Sequence, residues 1–159
     1  MKIYQVGVAR MIDAPLEAVY RVVTDMNVHI GILPRQFETL EVLQGGSGSG
    51  TVFRLTMNVM GIRSSLQMRI TEPVPGRVIR EQDDKAGVTT TWTLKPSDDS
   101  KHCYVDLMTE FPSKPGLAGV VERLLVSPII RSIYHRELDN INVYLTTGIA
   151  ARKDSVHFS

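Results

Sequence analysis

Residues 115–150 read PGLAGVVERLLVSPIIRSIYHRELDNINVYLTTGIA, and this stretch decides the fold. Val120, Leu124, Ser127, Arg131, Tyr134, Leu138, Ile141 and Leu145 recur at three- and four-residue intervals, with Val121, Leu125, Ile130 and Ile133 widening the stripe. That spacing predicts one long amphipathic helix, kinked at Pro128. About 30 helical residues reach about 45 Å, enough to cross a whole sheet. Nearly everything from 36 to 111 reads instead as strands. One helix is too narrow to fill the concave side of a curved, many-stranded sheet, so the space left over is a natural ligand cavity.

Working outward from the helix, residues 51–71 give the clearest hairpin. Phe53, Leu55, Met57 and Val59 share one face of its first arm, against Arg54, Thr56 and Asn58. On the second arm Ile62, Leu66, Met68 and Ile70 oppose Arg63, Ser65, Gln67 and Arg69, with Gly61 at the turn. Period-two alternation means one buried face and one wet face. Further strands are expected at 37–43, 78–82, 88–95 and 102–111, joined by polar turns into an antiparallel meander. The run from Gly45 to Gly50 reads as a flexible turn.

Ahead of the sheet, residues 3–12 suggest a first strand ended by Asp13-Ala14-Pro15. Asp13 can accept from free amides at a helix start, and Pro15 suits a first turn. The helix that follows carries Val19, Tyr20, Val22 and Val23, and a second short helix at 28–33 ends at Pro34. Residues 1–150 therefore form one domain, and 151–159 read as a frayed, mildly basic tail.

Bulk properties set modest limits. The chain has 159 residues, 43% hydrophobic and 22% charged, which is ordinary globular usage with room for a core. A net charge of +1 gives no field directed at nucleic acid or an acidic membrane. Cys103 is the only cysteine, so no internal disulfide forms and a reducing cytoplasm is expected. The first twelve residues lack the continuous apolar run of a signal peptide, and no stretch approaches a membrane span.

The order of strand, two short helices, six strands and long helix resembles the helix-grip fold of the START-like (SRPBCC) superfamily. That group includes polyketide cyclases/dehydrases, lipid-transfer domains and birch-pollen-type allergens. The matching features are Ile12-Asp13-Ala14-Pro15-Leu16-Glu17-Ala18-Val19-Tyr20, the glycine turn 45–50, Thr91-Trp92-Thr93-Leu94 and the closing helix. The resemblance covers about residues 2–147. It implies an α+β fold, a curved antiparallel sheet of about seven strands, and a hydrophobic pocket under the helix for a lipid, isoprenoid or polyketide-like molecule. Both binders and enzymes belong to this superfamily, so it implies no reaction.

No catalytic motif stands out. The glycine turn opens a strand rather than a helix and lacks a following Gly-Lys-Ser/Thr, so a phosphate loop is disfavoured. His29, His102, His135 and His157 have no metal-ligand spacing, and His102 and Cys103 point to opposite faces of a strand. Neither a metal nor another cofactor is expected. The strand at 78–82 can be phased two ways. Setting it by Val78 turns Arg80 and Gln82 inward; the other phase buries Ile79 and Glu81, and the sequence leaves both open. Ser64, Thr90 and Thr109 fall on apolar faces and could hydrogen-bond a ligand.

The expected pocket lining is Phe53, Leu55, Met57, Leu66, Met68, Trp92, Leu107, Tyr134 and Leu138, with Arg80 and Tyr134 as polar anchors. Methionines suit an adaptable apolar site. The leading expectation is a protein, monomer or weak homodimer, that carries or sequesters a small hydrophobic ligand. An enzyme of the cyclase, aromatase or dehydratase type ranks second, because the inward positions are mostly apolar. A partner-binding module ranks third.

Overall fold

Alternating burial along the first strand sets the pattern for the whole sheet. Tyr4, Val6, Val8 and Ile12 are buried while Ile3, Gln5, Ala9 and Met11 face out. In the computed structural model, which describes residues 2–152 and the backbone of 157–158, this strand is β1 (Ile3–Ile12). Then come α1 (Leu16–Thr24) and α2 (Met26–His29), the latter running into a 3-10 turn, Ile30–Ile32. Six strands follow: β2 (Phe37–Gln44), β3 (Val52–Val59), β4 (Ile62–Val74), β5 (Val78–Asp83), β6 (Val88–Pro96) and β7 (Cys103–Pro112). The long helix α3 (Gly116–Thr147) comes last, before a two-residue strand β8 (His157–Phe158).

The strands lie in the order β1-β7-β6-β5-β4-β3-β2-β8. Every pairing from β1 to β2 is antiparallel, and only β8 joins parallel, on the outer edge of β2. First and last strands of the meander meet in a ten-pair ladder from Ile3↔Pro112 to Ile12↔Cys103. No helix among the described residues is long and apolar enough to cross a membrane.

Only part of α3 covers the sheet. Ile130, Ile133, Tyr134, Glu137, Leu138 and Ile141 are buried, and the helix packs on β1, α1 and the 3-10 turn. Val120, Val121, Leu124 and Leu125, expected in the buried stripe, are exposed, as is Arg131. The stripe changes course at Pro128, which has no N–H to give the preceding turn. Gly148, in the left-handed region at φ 75°, ends the helix by donating its N–H to the Tyr144 carbonyl at 2.8 Å.

Three other expectations need correction. Asp13 does not cap α1: Pro15 occupies the N-cap, and the Asp13 N–H donates to Asn142 Oδ1 at 2.8 Å, tying β1's end to α3. The glycine turn is pinned rather than free. Its Gly48 N–H donates to the Thr24 carbonyl and its Gly46 carbonyl accepts from Met26, so the turn is bound to the α1–α2 junction. The N–H groups of Gly46, Gly48, Ser49 and Gly50 all donate within the protein, so the amides that a phosphate would need are already used. Of the expected frayed tail, residues 153–156 and 159 lie outside the described residues. Ala151 and Arg152 are held, both donating their N–H groups to the Gly31 carbonyl at 2.8 and 3.3 Å.

Candidate functional site: a narrow chamber with a polar end

Beneath the C-terminal half of α3, the concave faces of β2 to β7 leave an internal cavity. Its apolar walls come from Leu33, Phe37, Phe53, Leu55, Met57, Leu66, Met68, Val88, Trp92, Leu107 and Phe111. The open volume is only about 40 Å³. That holds a few waters, whereas ligand pockets usually measure some 300–1,000 Å³. A larger guest therefore enters only if wall side chains rearrange. Met57 and Leu66 are only half-buried at the rim, and methionine's flexible chain makes such repacking cheap.

Structure and sequence diverge at the polar end. β5 takes the phase that buries Ile79 and Glu81, so Arg80 points away from the chamber and is not an anchor. The registers explain why. Ile79 pairs with Trp92 and Glu81 with Thr90, and Trp92 is almost wholly buried on the inner face. Cross-strand partners share a face, so an inward Trp92 brings Ile79 and Glu81 with it. Leu138 is fully buried but belongs to the packing between helix and sheet rather than to the lining. Ser64 is exposed. The other eight expected residues, Tyr134 among them, do line the chamber.

Three buried ionisable residues that the sequence reading did not place there join them: His29, Glu81 and Glu137. Burial lifts the Glu81 carboxyl from its ordinary 4.5 to about 7, and the Trp92 indole tempers the rise from outside hydrogen-bond geometry. Glu137 is raised well above 4.5, first by burial and then by repulsion from Glu81. His29 is lowered to about 4 by burial. Its Nδ1 lies 3.2 Å from the Val22 carbonyl, which can only accept, so Nδ1 carries the proton and Nε2 is left with a lone pair. Nε2 faces Glu137 Oε1 at 3.7 Å. With the imidazole neutral and the Glu137 carboxyl pushed well above its ordinary range, this contact is a loose polar one rather than an ion pair. His29 also sets its ring edge-on to Trp92, with centroids 6.0 Å apart.

The hydroxyls form a chain of their own. Tyr134 Oη lies 2.6 Å from Thr109 Oγ1, which lies 2.8 Å from Thr90 Oγ1. Burial, with the neighbouring carboxyls, raises the Tyr134 pKa and keeps the phenol protonated. Two polar atoms stay outside these contacts: Glu81 Oε1 and Trp92 Nε1 are buried with no hydrogen-bond partner in the protein. An acceptor and a donor are thus left unmatched at the wall of the same chamber. Among the described residues, no His/Cys/Asp/Glu group is arranged to hold a metal ion.

A sequence signal existed for each missed residue. Glu137 sits three residues after Tyr134 and seven after Ile130, squarely within the apolar stripe, where a charge is out of place. His29 interrupts the apolar run from Val28 to Leu33. Glu81 could be found only by pairing its strand with Trp92.

The Glu81 carboxyl gives stability a definite pH dependence. Its folded pKa lies above the unfolded one, so its contribution is full below pH about 4.5 and is lost as pH rises through about 7. His29 has the opposite sign, its contribution being present above 6.5 and lost as pH falls through about 4. Comparing Glu81→Gln with the parent cancels the histidine. Urea unfolding from pH 4.5 to 7.5 is expected to show the variant gaining on the parent by on the order of 3 kcal/mol, at about 1.36 kcal/mol per pKa unit. A gap that stays constant with pH contradicts the assignment.

Comparison with known proteins supports the architecture. The sequence profile of the polyketide cyclase/dehydrase and lipid transport family matches residues 5–146. KanY, solved by NMR, superposes with a TM-score of 0.79 at 23% identity, over 92% of this chain and 99% of its own. The Zhui aromatase/cyclase from Streptomyces gives 0.70 at 17% identity, covering 92% and 98%. Norcoclaurine synthase from Thalictrum flavum, solved with dopamine and hydroxybenzaldehyde, gives 0.61 at 17%, covering 87% and 86%. At these identities the likeness is one of fold. No curated protein matches the sequence. A helix-grip sheet closed by one long helix, matched by the family profile over nearly its whole length, shows that the chain belongs to the polyketide cyclase/dehydrase and lipid transport family.

Proposed function

We propose that the chamber binds a small, mostly apolar molecule bearing a carbonyl or hydroxyl, with that polar group seated between Glu81, Trp92 and Tyr134. The observation that carries this reading is the pair of unmatched atoms, Glu81 Oε1 and Trp92 Nε1. Burying a polar atom without a partner costs about 1–3 kcal/mol, a cost relieved when a guest supplies the bond. A carbonyl oxygen can accept from the Trp92 indole, while a hydroxyl can donate to Glu81. The apolar remainder fits against Leu55, Met57, Leu66 and Met68, and Glu81 and Trp92 take the anchoring role first expected of Arg80.

Trp92 is the chain's only tryptophan, so its emission reports directly on the site. Titration with a bicyclic ketone such as 2-tetralone is expected to change that emission saturably. Filling the wall with Leu66→Phe should weaken binding of the ketone about tenfold or more, and removing the acceptor with Glu81→Leu should do the same for 2-naphthol, whose hydroxyl donates to it. The reading fails if no small ketone, phenol or fatty acid gives a saturable change.

A second reading, proton transfer of the cyclase or dehydratase kind, gains from Glu81 itself. A carboxyl that titrates near 7 can act as a base at neutral pH, with protonated Glu137 and Tyr134 as donors toward a developing oxyanion. The inward positions are mostly apolar, as expected, but the buried carboxyls among them supply the acid–base groups this reading needs. It predicts that the protein speeds deuterium exchange at the α-carbon of bound 2-tetralone, followed by NMR, and that Glu81→Gln slows it about 100-fold. Exchange at the solvent rate, with binding intact, leaves a carrier.

A further inference from the structure

A second concavity lies on the other side of Leu33, the one residue that lines both it and the chamber. It measures about 760 Å³ and is built from three pieces of chain. The loop after the 3-10 turn gives Pro34, Arg35 and Gln36. One face of α3 gives Ser132, Arg136 and Asn140, four residues apart each time, which places them in a row. The third piece is Ala151 and Arg152, fixed by their hydrogen bonds to the Gly31 carbonyl.

Charge distinguishes this groove from the rest of the surface. The whole chain is almost neutral, with 18 Lys and Arg against 17 Asp and Glu. Among the described residues the groove is lined by three arginines and no carboxylate. Arg152 is anchored, its guanidinium donating to the carbonyls of Phe37 and Glu38. The Asn140 amide likewise donates to the Ile32 carbonyl at 2.9 Å, which ties α3 to the 3-10 turn at the groove floor. Arg35 and Arg136 are exposed and make no side-chain hydrogen bond or ion pair among the described residues. Two exposed guanidiniums, Arg35 and Arg136, facing one concavity repel one another unless an anion joins them, and a concave wall focuses their field.

We propose that this groove is a binding site for a phosphate group, held by Arg35 and Arg136. Guanidinium forks match phosphate oxygens two at a time, which favours a phosphate over a single-point anion such as chloride. Ser132 and Gln36 add neutral donors along the same walls. The site stands on its own residues and does not require an occupied chamber. Because Leu33 lines both spaces, the phosphate can be free or can be the head group of a molecule whose apolar part reaches past Leu33.

The test is an amide-shift NMR titration of the full chain at fixed ionic strength, with inorganic phosphate and separately with hexyl phosphate. Saturable shifts are expected at Arg35, Gln36, Ser132, Arg136 and Asn140. The double variant Arg35→Ala/Arg136→Ala, both exposed and so tolerated by the fold, should bind about tenfold more weakly or worse. Arg54→Ala, which removes a guanidinium paired with Glu41 on the sheet, should bind as the parent does. Equal affinity for the two probes assigns the groove to free phosphate. Tighter hexyl phosphate binding with added shifts at Leu33 and Met57 assigns it to a head group. Absence of saturable shifts with both probes, or unchanged affinity in the double variant, overturns the proposal.

Discussion

The packing of the C-terminal half of α3 against the sheet organises everything else in this molecule. Ile130, Ile133, Leu138 and Ile141 supply the apolar contact, and each is 5% exposed or less. Burying such side chains is worth about 1.5–3 kcal/mol apiece, enough to hold a helix across a sheet it cannot fully cover. The same face carries Tyr134 and Glu137, whose positions on the helix bring them inward with the apolar residues. At the helix margins, the Arg10–Asp139 ion pair and the bond from Asp13 to Asn142 fix its angle to β1. The hydrophobic contact thus positions the polar chemistry, which could not by itself stabilise the arrangement.

That chemistry is expensive. Two carboxyls and an imidazole buried together would be strongly destabilising if charged, and the protein answers by keeping protons where they neutralise them. Burial pushes Glu137 well above the ordinary carboxyl range and His29 down to about 4, and Glu81 is poised between its two states near neutral pH. The two carboxyls titrate as a coupled set, since each charge raises the other's cost. A purely structural core gains nothing from this arrangement over well-packed apolar residues. A site that must meet a polar group, or move a proton, does gain. The small open volume belongs to the same logic, because a guest must displace flexible side chains and contact the polar end as it enters.

The sequence made the architecture legible because its signals were redundant. Alternation in β3 and β4, the polar turns between strands and the periodicity around Tyr134 and Leu138 all point to a curved sheet under one helix. Eight of the expected pocket residues fall at the chamber wall for the same reason. The polar end was illegible because it hung on a single bit of information, the phase of β5. Val78 and Ile79 offer one apolar residue to each face, so hydrophobicity does not break the tie; only the pairing of Ile79 with Trp92 does. The exposed first half of α3 was missed for a different reason. Its leucines and valines repeat as a buried stripe would, and nothing local to them reveals that the stripe is buried only beyond Pro128.

The central claim is that a carboxyl at the wall of an apolar chamber changes protonation near neutral pH. Selective carbon-13 labelling of glutamate, with the side-chain carboxyl shifts followed from pH 3 to 9, measures this directly. The account predicts that Glu81 titrates near 7 and that Glu137 keeps its proton well past the ordinary carboxyl range. Glu81→Gln identifies the first signal by deleting it. If every glutamate titrates with a midpoint below about 5, the carboxyls are solvated and ordinary, and the account of the chamber is wrong.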